Sequence, residues 1–191
     1  MECSSEARLR GSPGRRCSPG GVTGVTIGRL RRSNGCGELN KNTIAVDIGV
    51  AETGDLDAIV ALDAVSTGTA KADYWQDILE RYTSPGQRIP RYFLVARSSE
   101  RKLAGFIVGE IRAWEFGSPP CGWVIAMNVA PDLRERGIGT MLFDALCAEM
   151  KQDGVTTIRT MVLASDKVNL SFFRGEGLAA GPYIELERRL D

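Results

Sequence analysis

From Ile44 onward, apolar and polar positions recur in patterns that assign an element to almost every stretch. Ile44–Ala51 alternates as a first strand. In Asp55–Ala64, Leu56, Ile59, Val60 and Leu62 fall at helical spacing, with a Thr or Asp cap available just before them. Ala72–Tyr82 reads as a second helix, stopped by Ser84, Pro85 and Gly86. Arg91–Arg97 is a strand, and Leu103–Glu115 a longer one built on Phe106, Ile107, Val108, Ile111 and Trp114. Gly117, Pro119 and Pro120 turn the chain into a mostly apolar strand over Gly122–Val129. Gly137–Gln152 is a helix whose Ile138, Met141, Leu142, Ala145, Leu146 and Met150 form one stripe. Thr156–Leu163 is a strand and Val168–Gly175 a short helix. Tyr183–Leu190 closes the series as a strand, Ile184 and Leu186 alternating with Glu185 and Glu187. The order β-α-α-β-β-β-α-β-α-β predicts an α/β (α+β) fold, a central mixed, mostly antiparallel sheet flanked by helices.

No such pattern runs through residues 1–43, which read as a basic, Gly/Ser/Arg-rich disordered arm ahead of a domain over 44–191. Breaker clusters punctuate it at Gly11–Gly14 and Ser18–Gly21. Charge divides at the same place. The chain has 24 Lys and Arg against 24 Asp and Glu. Residues 1–44 carry 8 basic and 3 acidic side chains, so the body is left with 16 and 21. A basic arm is suited to touch nucleic acid or an anionic surface; otherwise nucleic acid is not an expected partner. A solvated tail or an upstream extension from a misplaced start is the plainer reading. The arm lacks the apolar core of a secretory signal, and no apolar run approaches a membrane span, so a cytoplasmic location without membrane attachment is expected.

Histidine is absent. That excludes Ser-His-Asp and Cys-His nucleophile systems and His-containing zinc sites. Cys3, Cys17 and Cys36 lack zinc-like spacing, and with Cys121 and Cys147 the count is odd, so neither a metal nor a disulfide framework is expected. A general base must come from a carboxylate, a perturbed Lys, Tyr or Cys, or water.

The most informative passage runs from Met127 to Thr140. An apolar strand enters a loop with Pro131, Arg134, Arg136, Gly137 and Gly139, and the loop opens the striped helix. Unpaired amides at a helix start suit a phosphate. Gly137 and Gly139 would let an anion approach the backbone, and the two arginines add cationic donors. The passage is neither a Gly-x-Gly-x-x-Gly fingerprint nor a Walker loop. A glycine-rich turn with solvated arginines is the alternative.

At these residues the sequence resembles the GNAT family of acyl-CoA-dependent N-acetyltransferases. The family's Arg/Gln-x-x-Gly-x-Gly/Ala signature stands as Arg134, Gly137 and Gly139, preceded by Val129-Ala130-Pro131. Asn169, Phe172, Phe173, Gly177 and Leu178 resemble a second family stretch. The resemblance covers about Ile44–Asp191 and implies acetyl-CoA as co-substrate, with no metal. It implies pantetheine pairing with the backbone of Met127, Asn128 and Val129. It places the pyrophosphate on the amides of Glu135, Arg136, Gly137, Ile138, Gly139 and Thr140, beside Arg134. Asn169 is implied as a cofactor contact, with helix capping as its alternative. The family's usual Tyr, which can protonate the leaving thiolate, falls on Phe173, which could pack on the cofactor or simply in the core. The enzyme is then expected to work without a side-chain acid or to take one from elsewhere, such as Tyr183.

Acetyl transfer requires an amine to lose a proton and attack a thioester carbonyl, with a donor for the oxyanion. Glu110, set mid-strand beside Gly109, is the first candidate base; an exposed strand position or an ion pair is its alternative. Asp166 is the second, with capping as its alternative, and Glu115 the third. Cys147 reads as buried packing. The acidic body favours a cationic amine acceptor, a small molecule or a peptide or protein amino group. Tyr74, Trp75 and Trp114 could line its groove. Two further readings stay open: an acyl-CoA-binding sensor that does not turn over, and an acetyltransferase on charged tRNA anchored by the arm. Edge strands could pair in a homodimer.

Overall fold

The computed structural model describes residues 45–190, so the arm over 1–43 lies outside the described residues. Five strands form one sheet in chain order: β1 (Val46–Val50), β2 (Arg91–Ser98), β3 (Leu103–Arg112), β4 (Cys121–Val129) and β5 (Ile158–Arg159). The first three pairings are antiparallel and β4–β5 is parallel. Helices α1 (Leu56–Thr67) and α2 (Ala72–Thr83) follow β1. Helix α3 (Ile138–Gln152) links β4 to β5, and α4 (Lys167–Gly175) follows β5. This is the mixed, mostly antiparallel sheet with flanking helices that the hydrophobic pattern predicts.

Alternation along the strands sends side chains to two separate cores. On one face, Ile59 and Leu62 of α1 and Trp75, Ile78 and Leu79 of α2 pack on Phe93, Val95, Phe106 and Val108. On the other, Ile138, Leu142, Phe143, Leu146 and Met150 of α3, with Phe173 of α4, pack on Leu94, Ala96, Ile107, Ile111 and Val124. Trp75 is core rather than groove: its ring lies edge-on to Phe106 at 5.0 Å and tilted to Phe93 at 6.0 Å. Trp114 is exposed instead, on the β3–β4 loop.

Three predicted elements are corrected. The strand over Leu103–Glu115 ends at Arg112, because Trp114 takes a left-handed backbone, φ 64°, that a ladder cannot continue. The strand over Thr156–Leu163 shrinks to Ile158–Arg159, since the chain beyond leaves β4. The strand over Tyr183–Leu190 does not form. Its alternation is real, but β5, the edge it would join, has only two residues, and Ile184 and Leu186 stay exposed. Among the described residues, no helix is long and apolar enough to cross a membrane.

Close approach of α3 to the sheet depends on a glycine. A Cβ at Gly109 would lie 2.7 Å from Met150 Cε and 2.9 Å from the Trp123 carbonyl oxygen. One obstacle is backbone, so relief requires a strand or the helix to move. Gly109→Ala is expected to destabilise the fold by about 1–3 kcal/mol in urea unfolding. A loss below about 0.5 kcal/mol, the range of a neutral surface change, would show that helix and sheet are not held so closely.

Candidate active site

Strand β4 pairs with β5 only through Gly122–Ile158 and Trp123–Arg159. Just past this, the Thr160 hydroxyl donates to the Val124 carbonyl at 3.2 Å. The two strands then part. Ile125–Val129 remains flanked by β3 on one side, with no strand on the other. The opening is a cleft of about 1090 Å³, bounded by Met127, Asn128 and Val129, the start of α3, and α4. A strand edge inside a cleft offers its peptide groups to a ligand that can pair with it.

The loop between β4 and α3 aims a helix start at this cleft. Glu135 (φ 60°) and Gly137 (φ 80°) both take left-handed backbone. Such curled turns form anion-binding concavities, and at Glu135 the conformation is strained for a residue with a Cβ. No side chain caps α3. Its first backbone bond runs from the Met141 amide to the Gly137 carbonyl, which leaves the amides of Ile138, Gly139 and Thr140 at the uncapped end. Arg134 reaches back to donate to the Val129 carbonyl (3.2 Å) and to Ser66 Oγ of α1 (3.5 Å). Among the described residues, no carboxylate pairs with Arg134 or Arg136. A helix start of this kind, beside two guanidinium groups that have no carboxylate partner among the described residues, is chemically suited to a polyanion;. The Thr140 hydroxyl is engaged by Glu176.

Several of the predicted site residues acquire different roles here. Gly139 serves packing: a Cβ there would stand 3.1 Å from the Phe172 ring. The Asn128 side chain turns to α1, donating to the Leu62 carbonyl (3.3 Å) and Ser66 Oγ (2.9 Å), while the residue still lines the cleft. Asp166 caps α4, accepting from the Asn169 amide (3.0 Å) and Asn169 Nδ2 (2.7 Å). Those bonds, the backbone one first, hold the Asp166 carboxyl below its ordinary range. Both residues line the cleft. Phe173 does not. It is buried against Phe143 and Phe172, at ring distances of 6.0 and 5.1 Å, and Phe172 takes the cleft wall. Core packing, the alternative for Phe173, is what the helix phase produces.

Glu110 lies on the face of the sheet that carries α1 and α2. It accepts from Tyr82 Oη of α2 (2.6 Å) and Arg112 Nε (2.8 Å), with Arg91 Nε at 3.7 Å. Burial opposes its charge, but the hydrogen bonds and the arginines outweigh it and hold the carboxyl below the ordinary range. Burial and the Glu110 carboxylate push the Tyr82 phenol upward. Tyr183 is half-exposed, its ring 4.7 Å from the Arg159 guanidinium carbon. The Cys147 thiol is pushed up to about 11, by burial and then by Asp144 and Glu176, which makes it a poor nucleophile;. Glu110, Asp166 and Tyr183 therefore do not converge on one point. Ser66, Tyr82 and Arg159 escaped sequence reasoning because their partners are more than 25 residues away. Among the described residues, no group of three or more His, Cys, Asp or Glu is placed to hold a metal ion.

A family model described as the Acetyltransferase (GNAT) family matches residues 56–177. No curated protein matches the sequence. Solved structures resemble the fold. An aminoglycoside antibiotic 6'-N-acetyltransferase, AAC(6')-Ih from Acinetobacter baumannii, superposes with a TM-score of 0.64 at 16% identity, covering 77% of this chain and 100% of its own. A ribosomal-protein-alanine N-acetyltransferase from Brucella melitensis biovar Abortus 2308 gives 0.62 at 20% identity, with 77% and 100% covered. AAC(6')-Iy, in complex with the bisubstrate analog CoA-S-monomethyl-acetylneamine, gives 0.65 at 15% identity, with 77% and 99% covered. At these identities the likeness is one of fold.

The Glu110 network makes a prediction about acid. Glu110→Gln keeps the shape but removes the charge that Arg112, Arg91 and Tyr82 address, and is expected to cost about 1–3 kcal/mol at neutral pH. The folded-state pKa is depressed, so this stabilisation is present above the unfolded value and lost as pH falls through the folded one;. Urea unfolding at neutral and acidic pH should show the gap between wild type and variant closing in acid. A gap independent of pH would mean that Glu110 acts through packing alone.

Proposed function

The chain belongs to the acetyltransferase (GNAT) family, and on that premise we propose that it transfers the acetyl group of acetyl-CoA to a primary amine in a ternary complex. The observation that carries this reading is the parted edge of β4 ending at an uncapped, arginine-flanked helix start. The pantetheine arm pairs with the backbone of Met127–Val129. The pyrophosphate lies on the amides of Ile138, Gly139 and Thr140, with Arg134 and Arg136 beside it. This orientation sends the thioester along β4 toward Val124, where the strands part. In this reading a backbone amide of β4 donates to the oxyanion as the amine attacks. Binding both reactants in one cleft supplies the proximity that a direct attack needs.

Proton handling follows from the depressed carboxyls. Glu110 is engaged by Tyr82, Arg112 and Arg91, and Asp166 by the start of α4, and both carboxyls are held below their ordinary range, which favours a water route for the ammonium proton;. No residue at position 173 donates to the departing thiolate. A thiol pKa near that of Cys, about 8.5, makes the thiolate a tolerable leaving group near neutrality without such a donor.

The same engaged carboxyls favour a second reading, an acyl-CoA-binding module without turnover. Release of free thiol from acetyl-CoA across a panel of amines and peptides separates the two. Turnover with any acceptor supports the enzyme; none, with CoA binding intact, supports the sensor. Arg134→Ala is expected to raise the CoA Kd about tenfold or more, as loss of a charge-assisted contact does. Unchanged affinity in equilibrium binding would remove Arg134 from the phosphate site.

A further inference from the structure

Residues paired in register share a face, and one row crosses four strands: Arg91 on β2, Glu110 on β3, Trp123 on β4 and Arg159 on β5. It lies on the face that carries α1 and α2, level with the last turn of α2, where Tyr82 meets Glu110. Its charges are not equally compensated. Glu110 is addressed by Arg112 and Arg91, and Arg112 also lies over the Trp123 ring at 5.1 Å. Among the described residues, the partners of Arg159 are neutral. Its Nη1 donates to Ser118 Oγ (3.0 Å) and to Cys121 Sγ (3.2 Å), and its plane meets the Tyr183 ring at 4.7 Å. Among the described residues no carboxylate pairs with it. The Nε and Nη2 hydrogens have no acceptor there, although a guanidinium offers five donors in a fixed fork. The three contacts orient that fork while leaving its charge unanswered.

Position gives this its meaning. Arg159 belongs to the last residue pair before β4 and β5 separate. The inference rests on the acetyl-transfer reading for one thing, the direction of the thioester, which points to this parting. We propose that Arg159 is the anion-binding group of the acceptor site, and that the acceptor is an amine carrying a carboxylate or phosphate near its amino group. The local charge is opposite to that of the body as a whole. Residues 45–191 hold 16 basic and 21 acidic side chains, yet this row, with Arg112 and the Glu115 that pairs with it, holds three arginines against two glutamates, and both glutamates are engaged by Arg112. A polycationic amine would meet like charge here, which costs affinity and orientation. Tyr183 acts as a positioning residue, covering one face of the guanidinium.

The test compares matched acceptors in the thiol-release assay: free amino acids against their decarboxylated amines, O-phosphoethanolamine against ethanolamine, and kanamycin as a polycation. The anionic member of at least one pair should exceed its neutral partner about tenfold or more in kcat/KM, and the two pairs distinguish carboxylate from phosphate. Preference for neutral amines or for kanamycin overturns the proposal and leaves acetyl transfer standing. A binding measurement covers the opposite case. Calorimetry of the CoA-saturated protein with N-acetylated amino acids and N-acetylated phosphoethanolamine should show affinity that falls about tenfold in Arg159→Gln and recovers in part in Arg159→Lys. Such binding without turnover would count against the acetyl-transfer reading, and with it the assignment to an acceptor, while keeping Arg159 as an anion-binding group. Equal affinity in wild type and Arg159→Gln, or no binding of either anion, overturns the proposal. Thermal unfolding of both variants checks that they fold.

Discussion

The parting of β4 from β5 after only two registered pairs governs the arrangement of the candidate site. A parallel neighbour along the whole of β4 would fill the space that the cleft occupies and would pair with those peptide groups of Ile125–Val129 that point away from β3. Because β5 stops at Arg159, the strand keeps one edge within reach of a ligand. Thr160 shows how the separation is held at low cost, its hydroxyl supplying the bond that a continuing strand would have made to Val124. Backbone recognition of this kind asks little of side-chain identity. That explains why Asn128 can turn its side chain to α1 and still belong to the cleft.

Helix α3, whose start forms the candidate anion site, is placed by packing on the far side of the same strands. Leu146 and Met150 settle over Gly109, and Met150 also comes close to Gly122. With its C-terminal half fixed there, α3 starts where β4 ends. Glu135 and Gly137 take left-handed backbone to make the connection in few residues. Strain at Glu135 is thus a consequence of two fixed ends and a short link, and it is spent at the place where the amides must face outward. Core packing and ligand geometry are in this sense one constraint.

Local signals in the sequence carried most of this, and long-range ones did not. The stripe of α3 and its approach through Pro131, Arg134 and Gly137 lie within one stretch of chain, so helix, loop and site could be read together. The last strand failed for the opposite reason. Ile184 and Leu186 alternate as a strand should, but pairing depends on a neighbour that sequence distance hides, and the neighbour is too short. Phe172 and Phe173 are chemically alike, and only the phase of α4 decides which one faces the cleft and which the core. Glu110 was legible as an acid out of place. Its partners come from α2, β2 and its own strand, so the sequence could offer the ion pair only as an alternative to catalysis.

The same distinction separates net charge from local charge. An acidic body suggested a cationic acceptor, because a sum over the chain is all that composition provides. Charge at a site depends on register, and register across four strands brings Arg91, Glu110, Trp123 and Arg159 into one row. There the one carboxylate of the row is already engaged by Arg91 and Arg112, and among the described residues the partners of the Arg159 guanidinium are neutral. A carboxylate a Debye length away, roughly 8–10 Å in physiological salt, does little to offset a cation held against the ligand. If Arg159 binds the acceptor's anion as proposed, the acidic surface bears on solubility and encounter, while selection between acceptors rests on a few groups at the point where β4 and β5 separate.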